Sequence, residues 1–170
     1  MNATVCAALF LSAGAAWMDL RQTKVDNGWL LFWLDTGLCI RLIRAGPGIL
    51  TECLPGMAIP LLLLFPFFYF RMLGAGDIKT LAVLGSMLGR RAILSCLFLT
   101  FLLGAVLSLL TFLLDGGWQK RLQYLFSWLR KYLQTGQKTP YIQEGIQEES
   151  LHMTIPILMS VLLWAGGWYG

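Results

Sequence analysis

Few residues in this chain could do acid–base chemistry, and two of them lie where oily segments end. The string "LGAGDIKTLAVLG" places Asp77 directly after Gly76 and two residues before Lys79. The string "AAWMDLRQTKVDNGWLL" places Asp19 at the end of the first apolar segment. Asp26, Asp35, Glu52 and Asp115 also lie in or beside apolar stretches. A carboxylate at membrane depth is costly and is a functional candidate by default. Two carboxyls brought together in a low-dielectric niche cannot easily both ionise, so they share one proton. One then acts as general base on a water, and the other as general acid toward the carbonyl and the leaving amine. That chemistry requires no metal, serine or cysteine.

The other candidates read as structural. Cys6, Cys39, Cys53 and Cys96 all fall inside apolar stretches without a C-x-x-C spacing, so they read as small buried hydrophobes, with neither a disulfide framework nor a metal site expected. No cofactor is implied. His152 heads the last apolar segment and reads as an interfacial residue. Asp35 falls mid-segment and reads as a hydrogen-bonding group of a helix bundle, and Glu52 falls toward the opposite face from Asp19 and Asp77. Gly74 and Gly76 would let the backbone bend and let an extended substrate approach it, or would serve helix packing. Lys79, if within reach, would favour the charged form of Asp77; otherwise it extends to the headgroups.

These residues must be positioned by elements suited to lipid. The 170 residues are 57% hydrophobic and 13% charged, against about 25% charged in soluble domains. The bilayer is therefore the expected solvent. The net charge of +4 reads as loop orientation, since no basic stripe with stacking aromatics points to nucleic acid. About six apolar segments, near residues 2–18, 28–43, 48–70, 77–89, 92–114 and 151–170, predict an all-α integral membrane protein. Open strands are excluded, because their edge amides would go unpaired in lipid. The prediction is one membrane domain over 1–170, with no internal repeat. The first segment has no cation before it, so it reads as a retained helix and not a cleaved leader.

With six spans and an outside N-terminus, nine cations fall on one side: Arg21, Lys24, Arg71, Lys79, Lys120, Arg121, Arg130, Lys131 and Lys138. Arg41, Arg44, Arg90 and Arg91 fall on the other. The positive-inside rule then puts Asp19 and Asp77 at the cytoplasmic mouth. The polar stretch of about 115–150 opens on a basic amphipathic pattern built on Leu122, Leu125, Phe126, Leu129 and Leu133. It would lie on the inner leaflet or pack on the bundle, and its acidic end reads as a connector.

The string "GAGDIK" resembles the G-x-G-D-x-K motif of the type IV prepilin peptidases, membrane aspartic proteases of the GxGD class. The family's second aspartate heads a D-x-R-x-x-x-I-P-N pattern. Here Asp19, Arg21, Val25 and Asn27 take those places, and Asp26 replaces the proline. That departure keeps Asp26 as a second candidate partner for Asp77. The closing "TIPILMSVLL" is similar to the family's last helix.

The resemblance implies Asp19 and Asp77 as the catalytic pair, with Gly74, Gly76, Lys79 and Asn27 as motif residues near the substrate. It implies removal of a short basic leader from a prepilin-like precursor, after a glycine, at the cytoplasmic face of a prokaryotic cell membrane. Larger members carry a zinc-binding insertion with paired C-x-x-C ligands, tied to N-methylation; this chain lacks it. The resemblance is therefore to a minimal, peptidase-only form, with a protein substrate and membrane lipid as partners, no nucleic acid, and a homo-oligomer left open. Two other readings stay open on the residues alone. One is a small proton- or ion-coupled transporter, which would want midplane acids and repeated halves. The other is an inactive assembly subunit of a pilus or secretion machine.

Overall fold

The computed structural model describes residues 3–22, 24–70, 73–115, 123, 127, 130 and 153–168. Arg71, His152 and nearly all of the expected amphipathic stretch and connector at 115–150 lie outside the described residues. Six α-helices account for almost all of the rest: α1 (Ala3–Gln22), α2 (Asn27–Ala45), α3 (Leu50–Tyr69), α4 (Ala75–Leu88), α5 (Arg90–Asp115) and α6 (Thr154–Ala165). A short 3₁₀ turn, Pro47–Ile49, leads into α3. No strand occurs among the described residues.

Local sequence explains the boundaries. Glycines in the left-handed region stop two helices, Gly46 (φ 70) after α2 and Gly89 (φ 83) after α4, because a side chain there would be strained. Three helical stretches are long and apolar enough to cross a membrane: Ala3–Gln22, Pro47–Tyr69 and Arg90–Leu110. The six-span expectation is thus met by length and composition in three helices. The others differ for distinct reasons. Helix α2 carries Asp35, Arg41 and Arg44, and α6 has only 12 residues. Helix α4 has 14 residues, about 21 Å at 1.5 Å per residue, short of a ~30 Å hydrocarbon layer.

Helix α4 is the hub of the packing. Every residue from Thr80 to Leu88 is buried, as expected of a helix that is apolar all round. Its closest neighbour is α3, where Gly56 and Gly85 bring the two backbones into direct contact; a Cβ on either would collide with the carbonyl oxygen of the other. On another side Gly37 of α2 makes room for Met87, whose Cε would lie 2.6 Å from a Cβ there. Small residues permit such approaches, and dispersion between closely packed backbones then holds helices together where lipid supplies no hydrophobic drive.

The remaining helices close around this pair. Trp29 of α2 lies over Gly14 of α1 and donates its indole N–H to the Leu11 carbonyl at 3.4 Å. Ser160 of α6 donates to the Cys96 carbonyl of α5 at 3.0 Å. Leu11, Leu81, Leu84, Ile93, Ile157 and Val161 form the centre of the core. Outside it, Phe10, Leu31, Leu62, Phe65, Phe98 and Leu109 are exposed, an apolar exterior suited to lipid tails.

Helices α2 and α4 run in the same direction. They meet near their starts through Lys79 and Asn27, and near their ends through Arg41 and Ser86. The bundle therefore has two polar ends joined by an apolar shaft.

Candidate active site

Asp19 lies in the last turn of α1, half-buried. The hydroxyl of Thr154, at the first position of α6, donates to its Oδ2 at 2.8 Å. Two residues on, the Arg21 guanidinium stacks on the Trp17 ring at 4.3 Å and so faces an aromatic surface.

Asp77 occupies the third position of α4, behind the N-cap Gly74. The unpaired N–H groups of a helix's first turn make a partial positive end, which favours a carboxylate there. The Asp77 carboxylate folds back over that end: its Oδ2 lies 3.0 Å from where a Cβ of Gly74 would stand. Gly74 is extended (φ −70, ψ 143) and Gly76 is helical, so neither uses a conformation reserved for glycine. The expected backbone bend is therefore not the reason for these glycines. Gly74 leaves space for the Asp77 carboxylate. A Cβ on Gly76 would meet Val25 Cγ2 at 3.5 Å, an ordinary contact, so packing does not demand glycine at that position.

Lys79 points away from the role anticipated for it. Residues two apart on a helix do not face each other. Its ammonium donates instead to Asn27 Oδ1 at 2.9 Å, at the start of α2. With Val25 lying beside Gly76, this bond seats the start of α4 against the segment that follows Asp19. Five of the six motif residues inferred from sequence thus fall at one end of the bundle within two linked contacts: Asn27, Gly74, Gly76, Asp77 and Lys79. The sixth, Asp19, closes the helix that leads into that segment.

The alternatives fall elsewhere. Asp26 is exposed at the N-cap of α2, and its side chain makes no cap bond. Its Oδ2 would lie 3.0 Å from a Cβ on Gly28. Asp35 is exposed on α2. Glu52 pairs with Arg90 at 3.6 Å at the far end of the bundle, where Arg41 donates to the Ser86 carbonyl at 3.0 Å. Among the described residues no group of three His, Cys, Asp or Glu side chains is disposed to hold a metal ion.

Sequence reasoning missed Thr154. Its only signal was its place at the head of the "TIPILM" segment, and no spacing rule links it to an aspartate on the far side of the chain.

Comparison with known proteins bears on the same end of the bundle. Residues 5–109 match a family model described as the type IV leader peptidase family. The matched stretch includes Asp19, Asn27, Gly74, Gly76, Asp77 and Lys79, and stops short of Thr154. No curated protein and no solved structure gave a match to the chain.

Proposed function

The chain belongs to the type IV leader peptidase family, and from that premise we propose that it is a multi-pass membrane aspartic endopeptidase that removes the short basic leader of prepilin-like precursors. Asp19 and Asp77 are its catalytic pair. One carboxylate takes a proton from a water whose oxygen attacks the scissile carbonyl carbon. The other carboxyl donates its proton to the carbonyl oxygen; on collapse of the tetrahedral intermediate that proton returns to it, the proton taken from water passes to the departing amine, and the C–N bond breaks into an acid and an amine. Cleavage occurs after a glycine, at the cytoplasmic face of a prokaryotic cell membrane. The precursor's own apolar helix stays in the bilayer beside the enzyme. With no paired C-x-x-C zinc ligands among its four cysteines, it acts in this reading as a peptidase without N-methyltransferase activity.

The observation that carries this reading is the seating of the Asp77 turn on the segment after Asp19, through Lys79–Asn27 and Gly76–Val25. All six spans are part of the proposal. The buried α4 reaches only partway by itself and completes its crossing inside protein. A six-span topology assigns nine of the thirteen cations to the side of Asp19 and Asp77, which favours placing that side in the cytoplasm. Gly76, which packing does not require, then serves as open backbone beside an extended substrate.

Co-expression with a prepilin-like precursor tests the assignment. The expected result is loss of processing in Asp77→Ala and in Asp19→Ala, and retention in Asp26→Ala. Normal processing by Asp19→Ala would move the partner role to another carboxylate. Proton flux without cleavage by the wild type would favour a transporter instead.

A further inference from the structure

The hydroxyls inside these helices mostly serve their own helix. Ser12, Thr36 and Thr80 each donate to the carbonyl four residues back. That habit is the ordinary fate of Ser and Thr in a helix interior. Thr154, the first residue of α6, does not follow it. Its hydroxyl is instead directed across the bundle to Asp19 Oδ2, 2.8 Å away and 135 residues distant in sequence. The residue is 1% exposed, so its hydroxyl is largely withdrawn from solvent.

The placement of α6 makes this contact firm. Pro156 is buried in the first turn, where its missing N–H removes no helical bond. It fits against Gly104 of α5, with 3.7 Å between the proline Cγ and a Cβ built on that glycine. Ile157 and Val161 enter the core, and Ser160 is bonded to Cys96. These contacts fix the axial position of α6 between α1 and α5, and with it the height of Thr154.

We propose that Thr154 is a positioning residue for the peptidase reaction: its hydroxyl holds one oxygen of Asp19 and so sets the plane of that carboxylate. The proposal rests on the reading of Asp19 as catalytic. It extends the working site to a helix beyond the stretch that matches the family. A hydroxyl donor suits this task in a low-dielectric setting. It directs a carboxylate without adding a second charge, and a misplacement near 1 Å in such a site costs up to about a hundredfold in rate.

The test uses the full chain in detergent or nanodiscs with a prepilin-like precursor. Asp19→Asn, Thr154→Val and Thr154→Ser are assayed for kcat, KM and melting temperature. Thr154→Val keeps the shape and removes the donor. It should lower kcat about tenfold or more with KM within about twofold, and Thr154→Ser should recover to within about threefold of wild type. Should Thr154→Val fail to fold, Thr154→Ala against Thr154→Ser carries the same contrast of hydroxyl present or absent. Wild-type kcat in the variant without the hydroxyl, with Asp19→Asn inactive, overturns the positioning role and leaves the peptidase reading standing. The same holds if the serine variant is as slow as the valine variant. Full activity in Asp19→Asn, or no cleavage by the wild type, removes the reading beneath and the positioning role with it.

Discussion

The two ends of α4 are held by different kinds of force. The half from Thr80 to Leu88 is buried on every side, crosses α3 backbone to backbone at Gly56 and Gly85, and is anchored by Arg41 on the Ser86 carbonyl. The first turn is partly open to solvent. It is held by the Lys79–Asn27 bond, with Val25 lying beside Gly76. The proposed catalytic pair, on separate helices, would use such a division. The shaft sets where the helix lies, and the open turn leaves the Asp77 carboxylate and its neighbouring backbone accessible. Mutations at the two ends should accordingly separate, with the shaft changing stability and the open turn changing rate.

The largest effect should come from the crossing. Gly85→Leu forces side-chain atoms into the α3 backbone and should destabilise the fold by about 3 kcal/mol or more. Thermal unfolding in detergent would register this as loss of a cooperative transition. A variant that melts like wild type would sink the shaft half of the comparison.

Next in size is the open turn. Gly74→Ala puts a methyl group 3.0 Å from the Asp77 carboxylate, a flexible group that can turn aside. It should cost about tenfold in kcat, with little change in melting temperature. A large fall in stability with unchanged kcat would reverse the assignment of that end. Gly76→Ala sharpens the same point. The fold has room for it and helix propensity favours alanine by about 0.5–1 kcal/mol. Slower cleavage by a protein at least as stable would therefore place the substrate backbone at Gly76, and unimpaired cleavage would exclude it there.

At the far end, Arg41→Met removes a charged donor from the last turn of α4 and should cost about 1–2 kcal/mol. Its kcat per folded molecule should be unchanged, as checked by a titrated active-site count alongside the melt. The smallest effect belongs to the exposed Arg90–Glu52 pair. Glu52→Gln should alter stability by less than about 1 kcal/mol and leave cleavage untouched.

Much of this was legible without coordinates. Helix α3 shows how well: the segment read at 48–70 is the 3₁₀ turn and helix of Pro47–Tyr69. Composition pointed to helices in lipid, and the structure adds that Gly46 and Gly89 stop two of them. Asp19 and Asp77 stood out because charge is rare in such a chain. Lys79 was legible as a motif residue, but its partner Asn27, 52 residues away, was not.

The residues by themselves thus pointed to the class of protein, the approximate extents of its helices and the two acids proposed for the chemistry. Each of these depends on local hydropathy, on backbone preference or on the cost of a charge in oil. Only the tertiary structure decided what those residues touch. Lys79 finds Asn27 across 52 residues, Arg41 finds Ser86 across 45, and Thr154 finds Asp19 across 135. Such pairings follow from how deeply helices interlock at points such as Gly56 and Gly85. Interlocking is a property of shapes in contact, and no periodicity along the chain encodes it.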